Sequence, residues 1–291
     1  MLTPSELVPF VELVRTRNSA VPMPERAIRL LESGDVHLVL DEVRPPTLTD
    51  DSAKGIEDEV ESWLAAGYRV ITLLDTEYPD RLRTVRESPI LLFTAGTVDP
   101  DAPFVSVVGT RTPTDGECAA ARDVAIGLVD AGITVLSGPA AGIDTEAHTA
   151  ALDRDGRTVA VMGTGLSHTY PASNSALRRR IEASGGAVLS QFFPDFGGSK
   201  QSFPMRNAVM SGLGIATVVI AAGEHSGTRS QVRHAIGHGR PVILTPRVAT
   251  ETSWGREYSL LPSVHVANGP RQVIEFIAEL RTTSAPTALF T

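Results

Sequence analysis

The stretch Ala221 to Ile236, AAGEHSGTRSQVRHAI, follows the apolar run GIATVVI and contains Ser226-Gly227-Thr228, a small-residue turn that opens a helix. A strand feeding such a turn presents free backbone N–H groups and the positive end of a helix dipole, which together make an anion site. Upstream, FPMRN places Arg206 and Asn207 on a turn into a helix leading toward the same strand. A guanidinium beside N-terminal N–H groups makes a phosphate pocket; the competing reading of Arg206 is a buried structural salt bridge.

Three further turns follow strands that end directly on glycine. VVGTRTPTDGE carries Gly109, Thr110 and Arg111. Arg111 either clamps a phosphate through its planar fork of donors or pairs with Asp115 or Glu117. SGPAAGIDTEAH puts Ser137, Gly138 and Gly142 where backbone must approach something closely, with Asp144 near a helix start. Asp144 reads first as an N-cap, and His148, at i+4, shares its face, a spacing that permits a polar pair in the crevice. GTGLSHTYPASNSALRRR combines Gly163 and Gly165 with Tyr170, whose ring can stack a base, and Asn174, which caps the helix or reads a polar edge. The run Arg178-Arg179-Arg180 is either a solvated helix face or a local basic patch, and Lys200 is a further cation before Arg206.

Other chemistries lack their residues. Asp144 and His148 are two ligands without a third, and the single cysteine, Cys118, provides neither an internal disulfide nor Cys-rich zinc spacing, so no metal is expected. The first turn lacks G-x-G-x-x-G and no strand-linked G-x-x-x-x-G-K-[ST] loop occurs, so neither a conventional nicotinamide site nor a nucleotide-hydrolysing P-loop is expected, and no cofactor is assigned.

These turns need strands behind them. From Phe104 the chain alternates apolar strands (FVSVVG, ITVLSG, TVAVMG, GAVLS, GIATVVIAA, RPVILTP, SVHVA) with helical segments. That alternation predicts a doubly wound, Rossmann-like α/β fold with a parallel sheet covered on both faces. In such open sheets ligands bind outside the carboxyl ends of the strands, so the glycine turns should line one crevice. RVITLL and SPILLFTAG read as a lead-in to that sheet, and IEDEVESWLAAGY as an acidic-first amphipathic helix. The expected organisation is a small helical appendage over residues 1–50, the α/β domain over 51–270, and a C-terminal helix and loose tail over 271–291, with RPPTLTDDSAKG as a polar link.

With 291 residues, 42% of them hydrophobic, the chain can bury one large core with an appendage. No apolar run approaches the roughly 20 residues that span a bilayer, and the start MLTPSELVPF has no basic leader, so a cytoplasmic protein is expected. The net charge of −8 argues against a nucleic-acid partner until its distribution is considered. Residues 1–103 hold 10 basic against 19 acidic side chains, whereas residues 104–246, with all the glycine turns, hold 12 against 11.

The series SVVGTR, SGPAAGID with AH, MGTGL with YPASN, LSQF, FPMRNAVMSGL and SGTRSQVRHAIGHGRPVILTP resembles the DNA-processing protein A (DprA/Smf) family in order and spacing. With the upstream YPDRL segment, the resemblance covers roughly residues 66–246. It implies an extended Rossmann fold, single-stranded DNA binding, dimerisation, and delivery of DNA to the RecA recombinase in natural transformation. The chain departs from the pattern at Ala141, where an arginine usually precedes Gly-Ile-Asp, and at Gln191, in the family's Ser-Glu-Phe element. After about Gly269 only one helix, RQVIEFIAEL, and the tail remain, so the winged-helix domain that many members carry is not expected.

The rival resemblance is to the lonely-guy nucleoside-monophosphate phosphoribohydrolases, with P-G-G-x-G-T-x-x-E and an upstream R-K-x-x-M. The matching stretches are Gly223 to Gln231 and Arg206 to Met210, and the acid is replaced by Gln231. Glycosidic cleavage needs a carboxylate to stabilise an oxocarbenium-like centre or activate water, so this turn is expected to hold a phosphate and cut nothing. A third reading is a dimeric interaction module. For the dimer, the helix Ser226–Gly237 is the candidate surface, with Val232 and Ile236 forming a narrow apolar stripe that faces either a partner or the sheet.

Overall fold

The structure, a computed structural model, describes residues 2–16, 20–43 and 51–283. Most of the polar link and the tail beyond residue 283 lie outside the described residues. Three helices come first: α1 (Pro4–Arg15), α2 (Met23–Ser33) and α3 (Val36–Val43). Thr3 and Glu6 form a reciprocal capping box that starts α1, and Pro24 sits in the first turn of α2. Buried Arg26 donates to the carbonyls of Leu13, Thr16 and Val21, tying α2 to the end of α1. Helix α4 (Asp51–Ala65) packs along α1, and the apolar residues of these helices, Leu7, Val11, Leu30 and Val60 among them, run without a break into the core under the sheet.

The sheet holds nine strands: β1 (Arg69–Thr72), β2 (Leu91–Gly96), β3 (Phe104–Gly109), β4 (Thr134–Ser137), β5 (Thr158–Val161), β6 (Ala187–Ser190), β7 (Ala216–Ala221), β8 (Val242–Leu244) and β9 (Val264–Val266). Their order is β1-β2-β6-β5-β4-β3-β7-β8-β9. The seven strands from β6 to β9 in that order pair in parallel, as the alternating pattern predicts. The two lead-in strands do more than precede the sheet: β2 pairs antiparallel with β6, and β1 antiparallel with β2, extending one edge. Antiparallel edge strands on a parallel sheet are common in large α/β folds.

The remaining helices are α5 (Asp80–Arg83), α6 (Asp115–Asp130), α7 (Ile143–Asp153), α8 (Ser175–Ala183), α9 (Ser202–Leu213), α10 (Thr228–Gly237), α11 (Pro246–Glu251), α12 (Ser253–Tyr258) and α13 (Pro270–Thr283). Helices α6, α7 and α13 cover one face, with Val124, Leu128, Ile143 and Ile277 packed on Val105, Val135 and Val218. The other face carries α9 and α10 together with the N-terminal helices. After β3 the chain winds outward through β4, β5 and β6, then crosses back to place β7 on the other side of β3. The split between β3 and β7 is therefore the topological switch point, where an open sheet leaves a crevice at the strands' carboxyl ends.

Candidate functional site

The crevice at the β3/β7 split is a cavity of about 530 Å³. Its lining draws Gly109, Thr110 and Arg111 from the end of β3, Asp144 from α7, Arg206 and Asn207 from α9, and Ser226, Gly227 and Thr228 from the start of α10. Tight backbone packing allows this convergence. A Cβ on Gly109 would lie 2.6 Å from Ile143 Cγ1 and 2.8 Å from the Ala221 carbonyl, and Gly142, at φ +81°, sits against the Thr110 carbonyl. The Arg206 guanidinium occupies the space a Cβ on Gly138 would need. The Ser226 turn is rigid: Ser226 Oγ accepts from the Thr228 N–H at 3.2 Å and donates to Thr228 Oγ1 at 2.9 Å, while Thr228 Oγ1 lies 3.3 Å from the Gly109 carbonyl. The start of α10 is thus fixed to the end of β3.

Arg206 is nearly buried, donating from Nη1 to the Val161 carbonyl at 2.7 Å and from Nε to Asn207 Oδ1 at 3.0 Å. Two of the five guanidinium N–H groups are thereby used, and the others remain for an anion in the cavity. Burial lowers the proton affinity of Arg206, with Asp144 opposing that effect. Asp144 is pushed up to about 7, by burial first, against the lowering influence of Arg206, the Ser137 hydroxyl, the Ala140 N–H and Arg111. Among the described residues Arg206 forms no ion pair, so the competing reading of it as a buried salt bridge is not met. The pocket holds a fixed cation beside a carboxyl whose charge changes near neutral pH.

Several expected contacts are corrected. Asp144 is not an N-cap: Gly142 takes that position. Nor does Asp144 pair with His148, which is fully buried with ring nitrogens 2.7 Å from Thr158 Oγ1 and 3.2 Å from the Gly138 carbonyl. Burial lowers His148 to about 4, so the ring is neutral. Arg111 is exposed and pairs with neither Asp115 nor Glu117; Glu117 closes the capping box of α6 with Thr114 and pairs with Arg247 at 2.7 Å. Asn174 stands at the N-cap position of α8 but makes no side-chain cap hydrogen bond, and it lines neither the crevice nor its neighbouring hollow. Its amide donates to the Pro139 carbonyl at 3.0 Å and to Thr145 Oγ1 at 2.9 Å, fastening the loop before α7. Ser137 is buried and donates to the Val107 carbonyl at 2.6 Å. Its part, like that of Gly138 and Gly142, is to shape the crevice.

A smaller hollow of about 130 Å³ adjoins the cavity, sharing Arg111, Phe203 and Arg206 with it and adding Gly163 and Tyr170. Tyr170 is 52% exposed and lies 5.6 Å, centroid to centroid, from Phe203, presenting an aromatic step beside the guanidiniums. Gly165 instead lets the chain pass the carbonyls of Phe193 and Pro194. Arg179, on the exposed side of α8, and Lys200 are outside both hollows, and the neighbours of Arg179 are paired, Arg178 with Glu182 and Arg180 with Asp153. Phe203 and His225 also line the cavity, beyond the residues that the sequence marks as candidates. Phe203 was legible as the first residue of FPMRN; nothing in the sequence marked His225. Gln231 also lines the cavity, its Nε2 donating to Thr217 Oγ1 at 3.3 Å and its Oε1 unpartnered.

The stripe on α10 is resolved as core: Val232 is fully buried and Ile236 packs on the same cluster, leaving Arg229 and Arg233 outward. It cannot serve as an intersubunit face. Among the described residues, one group of side chains, Glu87, His234 and His238, has the spacing to hold a metal ion, and it lies away from the crevice. No helix of the described residues is long and apolar enough to cross a membrane.

Residues 69–278 match the model of the DNA recombination-mediator protein A family. The chain is 34% identical over 238 residues to a putative DNA processing protein DprA of Mycobacterium tuberculosis, an alignment covering 77% of this chain and 61% of that one. It is similar to the X-ray structure of DNA processing protein A from Streptococcus pneumoniae, with a TM-score of 0.70 and 26% identity over 94% of this chain and 98% of the other. It also shares its fold with DNA processing protein A from Helicobacter pylori, described for its single-stranded DNA binding mode, with a TM-score of 0.65 and 23% identity over 73% and 96% of the two chains. The chain spans from 44% to 62% of the length of several curated relatives that it matches.

Proposed function

The chain belongs to the DNA recombination-mediator protein A family, and from that premise we propose that it binds single-stranded DNA in the β3/β7 crevice and assists loading of a RecA-type recombinase in DNA uptake or recombination. The carrying observation is the buried Arg206 set beside the Ser226–Thr228 turn at the switch point, with Arg111 at the rim and in no ion pair among the described residues. A backbone phosphate enters against Arg206 and the first N–H groups of α10, where the helix dipole and a charge-assisted donor act together. Arg111 takes a neighbouring phosphate, and Tyr170 offers its exposed face to a base, an interaction that tolerates any sequence because every base has a π-face.

The reaction assigned to this site is retention without cleavage. The position at which a phosphoribohydrolase would need its carboxylate is Gln231, whose amide is directed to Thr217 and cannot ionise. The working unit is a homodimer in the cytoplasm, so that two crevices track one strand and gain avidity through effective concentration. Titration of oligo-dT against nucleoside monophosphates at two salt concentrations tests the reading. Saturable oligo-dT binding that weakens with salt is expected, log K falling by about 0.7 per phosphate neutralised for each unit of log salt. Tight binding of a monophosphate with none to oligo-dT would replace it with a nucleotide-binding role.

A further inference from the structure

We propose that Glu87, His234 and His238 form a site for one divalent transition-metal ion, zinc being the best match to the donor set. His234, in the last turn of α10, and His238, its C-cap residue, stand at i and i+4, a spacing that turns two imidazoles to one side of a helix. Their ring centroids are 6.0 Å apart. Glu87, from the segment between α5 and β2, closes the third side with its Oε2 3.0 Å from His238 Nε2. One ligand atom from each residue lies within 4.8 Å of the other two. Two imidazole nitrogens and a carboxylate oxygen with a fourth position open is a recognised tetrahedral zinc set.

Glu87 and His238 stand near the spacing that a shared ion requires, and the His234 ligand atom lies within 4.8 Å of both. With zinc bonds of about 2.0–2.2 Å, ligand atoms of a tetrahedron stand about 3.4 Å apart. Glu87 and His238 would therefore separate by a few tenths of an ångström as the ion takes the place of the hydrogen-bonded proton between them. Behind His238, Nδ1 lies 2.7 Å from the hydroxyl of Ser211, a buried residue of α9. That contact fixes the ring and leaves Nε2 as the ligand atom; with the metal bound, Nδ1–H donates to Ser211 Oγ, the outer-sphere support that ligating histidines ordinarily have.

The site would join the chain before β2 to the carboxyl end of the helix whose amino end carries the phosphate turn. An ion there braces α10 at the end opposite the DNA crevice. Glu87 and His234 also line a separate cavity of about 500 Å³ bounded by Phe192, Phe193 and Met205, so the open position has solvent access without reaching the crevice.

The test is isothermal titration of the untagged, chelator-stripped full chain with Zn²⁺ alone, with Co²⁺ in parallel to read the visible bands of a tetrahedral site. One equivalent per chain is expected in the wild type, absent in Glu87→Gln and in His234→Ala, and kept in His37→Ala, which changes an exposed histidine on α3. Ser211→Ala should retain the equivalent with about 10- to 100-fold weaker affinity. The thermal midpoint should rise on adding Zn²⁺ to the wild type and stay fixed in Glu87→Gln. Because Glu87 is a surface side chain, this variant remains informative if a histidine variant fails to fold. Absence of a bound equivalent in the wild type, or an equivalent that survives in Glu87→Gln and His234→Ala alike, overturns the proposal.

Discussion

Asp144 and Arg206 share the floor of the crevice, and their environments set the pH response expected of the proposed binding. The Asp144 carboxyl, pushed up to about 7 chiefly by burial, faces Arg206, Arg111 and the Ser137 hydroxyl, while His148, lowered to about 4, adds no charge near neutrality. Lowering the pH from 8 to 6 neutralises the one acid in the pocket, so oligo-dT affinity should strengthen over that range, and Asp144→Asn should flatten the profile. A change of equal size in the variant would show that another group titrates. The stability sign follows from the same shift. A carboxyl raised in the folded state stabilises it fully below the usual 3.8 and loses that contribution as pH rises through about 7. The thermal midpoint of wild type minus Asp144→Asn should therefore fall between pH 4 and 7. Taking this difference removes the opposing effect of His148, which favours folding as pH rises from about 4 toward its usual 6.5. At the rim, Arg111→Ala should weaken oligo-dT binding and reduce the salt slope by about 0.7, because an exposed cation contributes through counterion release. Tyr170→Ala should cost about 1–3 kcal/mol with the slope unchanged, since stacking releases no ions. Fluorescence titrations across a salt series separate the two roles, and a slope change in Tyr170→Ala would contradict the stacking assignment.

Helix α10 illustrates how an element's neighbours decide what its residues do. Its amino end carries the turn proposed to hold a phosphate, its inner side packs Val232 and Ala235 on the sheet, and Gln231 reaches Thr217 on β7. Val232→Ala should lower stability by about 2 kcal/mol through the cavity it leaves, without altering the molecular mass in solution. A loss of dimer mass at unchanged stability would reverse the assignment of this stripe to the core. The loop before α7 is held by the Asn174 amide, which donates to the Pro139 carbonyl and Thr145 Oγ1. Asn174→Ala should cost about 1–3 kcal/mol in chemical denaturation by leaving these acceptors unpaired. Oligo-dT affinity should fall only as far as the loop loosens Asp144 and the Gly142 turn. Gln231→Glu tests the reading of the same crevice as a binding site: nucleoside monophosphates should yield no free base with either the wild type or this variant.

At the scale of the whole molecule, charge is divided between regions. The acidity lies in residues 1–103, whereas the crevice is assembled from the near-neutral stretch 104–246. A negatively charged chain can thus present a local cationic pocket, because screening over about 8–10 Å at physiological salt decouples the distant acids from it. The proposed homodimer must use a surface other than the apolar stripe of α10. Light scattering at micromolar protein should give twice the chain mass, and oligo-dT affinity should increase with strand length once a strand can reach both crevices. A monomeric mass with length-independent affinity would remove both the dimer and its avidity.

The sequence by itself determined the alternation of strands and helices, and with it the doubly wound sheet, since continuous apolar runs separated by amphipathic segments bury both faces of a parallel sheet in only a few ways. It also marked the turns at Gly109, Gly138 and Ser226, because glycine and small residues directly after strands signal close backbone approach. The tertiary structure decided which side chains reach the ligand space. Arg206 lies over Gly138, more than sixty residues away in the chain, while Ser137, His148 and Asn174, equally promising by residue type and spacing, turn to carbonyls and hydroxyls of other loops. The grouping of Glu87 with His234 and His238 was likewise outside what spacing could show. The physical reason is common to these cases. Periodicity records which face of an element is apolar, but a polar side chain's partner is set by which backbone groups the packed elements leave unsatisfied nearby, and those come from distant parts of the chain.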